Sequence, residues 1–243
     1  GVVEVRQLEH LLPVAEALMR CPSMLGNDIA IVGSGGGHST MCTDAVESAG
    51  LAVPAYSEEL RVELRKRLPE YAPTMNPVDM TGTFTKDPSE FATLSELVLQ
   101  MDPHFSGVVN YGLYGLYKGG QVPAGAPYDY VTAAPLLGQL QAKLGKPFVF
   151  YTPYADRSHA SFTAMRESGV PCFDNVALVG VALAALQQRG RYLARGEEAK
   201  GLVFPEPVTK SQAPVDYGTE VGAYELLRRF GVKLPEVRTT SSA

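Results

Sequence analysis

The sequence predicts an α/β protein, an open parallel sheet of about five strands covered by helices on both faces. Three observations carry this expectation. Short apolar runs alternate with amphipathic stretches from residue 25 to residue 194, the pattern of strands buried on both faces between helices. Clusters of Gly, Pro, Asn and Asp punctuate the junctions, as turns require. The 243 residues are 45% hydrophobic and 19% charged, which supplies a core for one large or two smaller domains.

The elements follow in order. In "EVRQLEHLLPVAEALMRC", Leu8, Leu11, Leu12, Ala15 and Leu18 fall at helical spacing; we expect residues 1–24 to be the end of a preceding domain. "NDIAIVGS" reads as a buried strand, residues 39–49 as a helix, and "LAVPAY" as a short second strand. Ser57 can cap the next helix, "SEELRVELRKRLPE", with Glu58 and Glu59 favourable in its first turn. "DPSEFATLSELVLQMD" is a helix with Asp87 at its cap and Pro88 in the first position; Phe91, Leu94, Val98 and Met101 share a face. "SGVVNYGL" and "KPFVFYT" are strands on either side of the helix "YVTAAPLLGQLQAKLG". The helix "SHASFTAMRESG", the edge strand "VPCFD" and the apolar helix "NVALVGVALAALQQRGRYL" complete the sheet domain, residues 25–194. Residues 195–216 carry three prolines and mixed charge without periodicity and read as a linker. A helix from about Thr219 to Phe230, stopped by Gly231, opens a further domain over 217–243.

Composition excludes several function classes. A net charge of -5 and no clustered basic face argue against nucleic acid. Glu58, Glu59, Glu63 and Glu70 interrupt the densest basic run, around Lys66, which marks a solvated helix face. Cys21, Cys42 and Cys172 suit neither a disulfide framework nor a zinc site, and a reducing cytoplasmic compartment is expected. No apolar run reaches membrane-spanning length, and the chain opens without a signal-peptide pattern.

Three loops are candidate binding elements. In the first, Ser34, Gly35, Gly36, Gly37, His38 and Ser39 join a strand to a helix. Helix-start amides lack internal partners, so a phosphate can fill the gap; a tight packing turn is the alternative. The spacing matches neither a dinucleotide fingerprint nor a P-loop. The second, "TMNPVDMTG", sets Asn76, Asp79, Thr81 and Gly82 on the carboxyl edge of the sheet, where open α/β folds place ligands; ordinary turn chemistry also explains it. The third, "YGLYGLYKGGQVPAGAPYDY", begins at Tyr111 and Gly112 and exceeds the usual connection length. His10, His104 and His159 read as surface or capping residues, whereas His38 lies inside the glycine turn.

These loops, in this order, resemble the NDP-forming acyl-CoA synthetases, the ADP-forming acetate-CoA ligase group related to succinyl-CoA synthetase. The stretch from "IAIVGSGGGHST" to "NPVDMTG" matches that family's strand, glycine turn, helix and N-P-V-D-[LM]-T-G loop. "MRESGVPCFDNVALVGVALAALQQRGRY" resembles its next strand and closing helix, and "EVGAYELLRRFGVKLPE" the opening of its ATP-grasp domain. The resemblance implies a flavodoxin-like domain that cradles a phosphohistidine loop at the N-terminus of a helix, with Ser34 to Ser39 at the phosphoryl group. It further implies a substrate loop of Asn76, Asp79, Thr81, Gly82, Tyr111 and Gly112. The family's phosphorylated histidine sits in an S-H-T-G loop that is not in this sequence, so no catalytic residue and no metal ligand is assigned to this chain. CoA and ATP with Mg2+ would serve the intact enzyme and bind elsewhere. The expected partners are the remaining domains or subunits of an oligomeric synthetase and a small carboxylic acid. A non-catalytic acyl-CoA-sensing or scaffolding module is the alternative.

Overall fold

The computed structural model of the chain describes residues 2–82, 87–114, 128–196 and 219–235. Most of the third loop and of the linker therefore lies outside the described residues. The chain divides into two compact units, Gly1–Gly196 and Glu197–Ala243. In the first, five parallel strands stand in the order β2-β1-β3-β4-β5. They are β1 (Ile29–Gly33), β2 (Val78–Asp79), β3 (Gly107–Tyr111), β4 (Phe148–Tyr151) and β5 (Cys172–Phe173). This is the flavodoxin-like order, whose reversal between β1 and β3 opens a crevice at the carboxyl ends of the strands.

Alternation along the strands assigns the two faces. Ile29, Ile31, Val109, Val149 and Tyr151 pack beneath α1 (Leu11–Arg20), α2 (Gly36–Ser48) and α7 (Ala177–Ala194). Ala30, Val32, Val108, Phe148 and Phe150 face α3 (Glu58–Arg67), α4 (Glu90–Met101), α5 (Tyr130–Leu144) and α6 (Ala160–Glu167). Helix α1, read from sequence as part of a preceding domain, packs against α7 within the first unit. The α2–α7 contact is close enough that a Cβ on Gly180 would lie 2.0 Å from the Ala45 carbonyl oxygen.

Caps follow the expected chemistry in part. Ser57 Oγ accepts from Leu60 N–H at 3.2 Å, and Asp129 with Thr132 forms a capping box on α5. Asp87 instead closes the turn before α4, accepting from Ser89 N–H at 2.9 Å, and α4 begins at Glu90. Helix α2 begins at Gly36 rather than 39, so two of the three glycines lie in its first turn.

The second strand is also not where apolar character placed it. "LAVPAY" forms no strand: its backbone pairs through a single isolated bridge between Asp28, just before β1, and Ala52, because Pro54 has no N–H to continue a ladder. The strand is Val78–Asp79, in register with Val32 and Gly33. In the second unit, α8 (Glu220–Arg229) is capped by Thr219, which accepts from Gly222 N–H, and Gly231 follows in the left-handed region.

Candidate functional site

The carboxyl ends of β1, β2 and β3 bring Ser34–His38, Asp79–Gly82 and Gly112 together at the crevice between β1 and β3. Gly35, at φ 114°, turns the chain from β1 into α2, a backbone conformation that favours glycine. Its N–H donates to Asp79 Oδ1 at 2.9 Å, and Thr81 N–H donates to the same oxygen at 2.8 Å. Gly82 N–H donates to Ser34 Oγ at 2.9 Å. Asp79 and Ser34 are both buried, so the first and second loops are joined through side chains of low exposure. Thr81 holds the left-handed region at φ 49°, and its buried Oγ1 has no hydrogen-bond partner among the described residues.

Gly36 and Gly37 are exposed at the start of α2. A Cβ on Gly37 would meet nothing within 4 Å, and one on Gly36 would lie 3.7 Å from Asp79 Oδ2. The first turn of α2 thus faces open space next to one carboxylate. Its amides and helix dipole attract an anion, while Asp79 opposes one by like charge. Among the described residues no group of three or more His, Cys, Asp or Glu side chains could hold a metal ion.

Several candidates are engaged elsewhere. Ser39 Oγ donates to Gly36 O at 2.6 Å, and Thr40 Oγ1 to the same carbonyl at 3.2 Å; a hydroxyl within the first turns of a helix readily finds a carbonyl behind it. Tyr111 is fully buried, with its hydroxyl on Val78 O at 3.1 Å. Burial foremost, and then the Asp79 charge, raises its phenol pKa well above the usual value. The strand alternation that puts Val109 on the α2 face puts Tyr111 there too. Asn76 directs its amide at the edge of β1. Gly112 donates to Tyr151 O at 3.1 Å, and a Cβ there would come within 3.3 Å of Phe91. His38 stands at the turn with its ring edge-on to Tyr151, 5.6 Å between centroids.

His159 caps α6 through Nδ1, which accepts from Ser161 N–H at 3.3 Å, and His104 lies against Phe105. Reading three loops missed a fourth on the same edge, after β4. It carries Arg157, whose guanidinium lies 4.1 Å from the centre of the Tyr154 ring. Counting every strand end as a candidate position would have found it. No described helix is long and apolar enough to cross a membrane.

No known protein-family profile matches the chain. It is 24% identical over its whole length to a trans-feruloyl-CoA synthase from an unknown prokaryotic organism, covering 33% of that protein. It is 24% identical over 81% of its length to the alpha subunit of ADP-forming acetate–CoA ligase II of Pyrococcus furiosus, covering 41% of that subunit. Over 82 residues it is 34% identical to the alpha subunit of the corresponding ligase I. The chain therefore spans well under half of each of these relatives. Its fold matches a solved protein of Pyrococcus horikoshii OT3 with a TM-score of 0.59, at 22% identity, over 77% of this chain and 41% of that one. It also matches the dinucleotide-forming acetyl-coenzyme A synthetase 1 of Ca. Korarchaeum cryptofilum, with a TM-score of 0.59 at 17% identity over 82% of this chain and 41% of that one. The chain is thus similar in sequence to a feruloyl-CoA synthase and to ADP-forming acetate–CoA ligase alpha subunits, and its five-stranded parallel fold is similar to that of an acetyl-coenzyme A synthetase.

Proposed function

We propose that the chain is the part of an ADP-forming acyl-CoA synthetase that holds a phosphoryl group at the N-terminus of α2 while a histidine from another segment carries it. The intact enzyme joins a small carboxylic acid to CoA and converts ATP to ADP and phosphate, by way of an acyl phosphate. ATP with Mg2+ supplies the phosphoryl group and CoA the accepting thiol, at sites on other domains or subunits of a cytoplasmic oligomer.

The observation that carries this reading is the convergence of three strand ends on the first turn of a helix that opens with two exposed glycines. The amides of Gly36 and Gly37 bind the phosphoryl oxygens, and His38 borders them. Such preorganised donors stabilise charge without reorganising as the group moves. Asp79 holds Gly35 in its turn and orders Thr81, and the β3 loop beginning at Gly112 meets the acid.

The test is 32P labelling of the intact natural polypeptide with ATP, followed by acid and base treatment. An acid-labile, base-stable label that is lost in Gly36→Val, with the sheet still folded, supports the reading. Normal labelling of that variant removes it, and no label on the natural polypeptide supports the sensing module instead.

A further inference from the structure

We infer that Asn76 is a positioning residue whose side chain stands in for a strand, and that it sets the register that places Asp79 at the crevice. The outer edge of β1 must find a partner for every backbone group it buries. Ile29 N–H donates to Ala52 O at 2.8 Å and Tyr56 hydroxyl donates to Ile31 O at 3.0 Å. Between them, Ile31 N–H donates to Asn76 Oδ1, and Asn76 Nδ2 donates to Ile29 O, each at 2.9 Å. One amide side chain thus makes the pair of bonds that a neighbouring peptide unit would make. The same Nδ2 donates to Pro54 O at 2.9 Å, which ties the "LAVPAY" segment to the same point. The amide orientation is fixed, since its oxygen faces a donor and its nitrogen two acceptors.

Strand β2 has only two residues, too few to specify its own register, and a slip of one residue would turn Asp79 to the opposite face. Asn76, three residues earlier, is anchored to β1 at Ile29 and Ile31. The chain then enters the ladder at Val78 opposite Val32, and Asp79 arrives opposite Gly33 with its carboxylate on Gly35 and Thr81. Asn76 therefore acts on the crevice through Asp79 and not by touching a ligand. The consequence for a phosphoryl group rests on the function proposed above; the register does not.

The test is amide NMR of the chain with Asn76→Ala, Asn76→Asp and Asp79→Asn. In Asp79→Asn the Gly35 and Thr81 amide protons lose a charged acceptor and shift upfield. The expected result is that Asn76→Ala shifts the same two resonances the same way, while Ile31 N–H exchanges roughly tenfold faster for want of its acceptor. Faster exchange at Ile31 with Gly35 and Thr81 unmoved would make Asn76 an edge bond only and overturn the inference. Should Asn76→Ala not fold, Asn76→Asp keeps the acceptor for Ile31 but removes both donations, and the same resonances decide. None of these readouts needs a phosphoryl ligand, so failure of the proposed function would leave them unchanged.

Discussion

Gly37→Ala separates what the fold needs from what the crevice needs. Gly37 lies in the first turn of α2, and a Cβ there would meet nothing within 4 Å. Nothing in the described structure requires glycine at that position, and glycine is the costlier residue for a helix. Alanine should stabilise by about 0.5–1 kcal/mol, through helix propensity and a less flexible unfolded chain. For a domain of this size that raises Tm by roughly 1–4 °C. The same methyl occupies open space beside the amides proposed to hold a phosphoryl group. A displacement of that group by about 1 Å costs up to about a hundredfold in rate. The expected outcome is a more stable protein that labels at least tenfold more slowly in the intact synthetase. Thermal unfolding by circular dichroism and the rate of 32P labelling measure the two effects separately. A stabilised variant that labels as fast as the wild type would refute the reasoning, because glycine at 37 would then serve neither fold nor ligand.

Asp79→Asn keeps an oxygen for the Gly35 and Thr81 amides but removes its charge; two bonds weakened from charged to neutral cost about 1–3 kcal/mol. It also removes a like charge beside the first turn of α2, so titration with inorganic phosphate should show tighter binding, while acyl transfer in the intact synthetase falls more than stability does. Gly180→Ala forces a Cβ to 2.0 Å from the Ala45 carbonyl oxygen and must part α2 from α7; denaturant titration should show a loss of about 1–3 kcal/mol, and an unchanged midpoint would contradict the packing. Asp129 caps α5, and its backbone bonds from Thr132, ahead of other causes, lower its pKa below the ordinary 3.8. Its folded pKa lies below its unfolded one, so its contribution, about 1 kcal/mol for such a cap, is complete above pH 3.8 and fades as pH falls through the folded value. The difference in stability between wild type and Asp129→Ala should shrink over that acid range and be constant at neutral pH.

Strands β1, β3 and β4 were legible because burial on both faces leaves an unbroken apolar run, and α4 because Phe91, Leu94 and Val98 repeat at helical spacing and all lie in the core. Strand β2 was not legible for a physical reason. Its two residues sit in an Asn-Pro loop with no apolar alternation, and the bonds that a longer strand would make to β1 come from the Asn76 side chain. The apolar segment "LAVPAY" looked like the better strand, yet Pro54 breaks its ladder and Tyr56 supplies a hydroxyl in place of an amide. Within the crevice, residue type revealed the place more readily than the roles. Glycines and an Asn-Pro-Val-Asp sequence mark both loops as turns, but only the folded chain shows that Asp79 carries one loop to the other through Gly35.

That link changes what the glycine turn can bind. Gly35 N–H, the donor nearest the mouth of α2, is already engaged by Asp79 Oδ1. The free donors begin one residue later, at exposed Gly36 and Gly37, and the second carboxylate oxygen of Asp79 borders Gly36. A ligand there meets a helix dipole that favours negative charge and a carboxylate that opposes it. The dipole contributes about 0.3–1 kcal/mol at an exposed helix start, whereas a like charge about 4 Å away costs about 1 kcal/mol in bulk water and about 4 kcal/mol near a protein surface, so the carboxylate offsets the dipole. A free phosphate dianion gains little from such a site. A phosphoryl group carried on a larger body gains more, because contacts made by the carrier hold it against Gly36 and Gly37 while the amides have only to stabilise its charge.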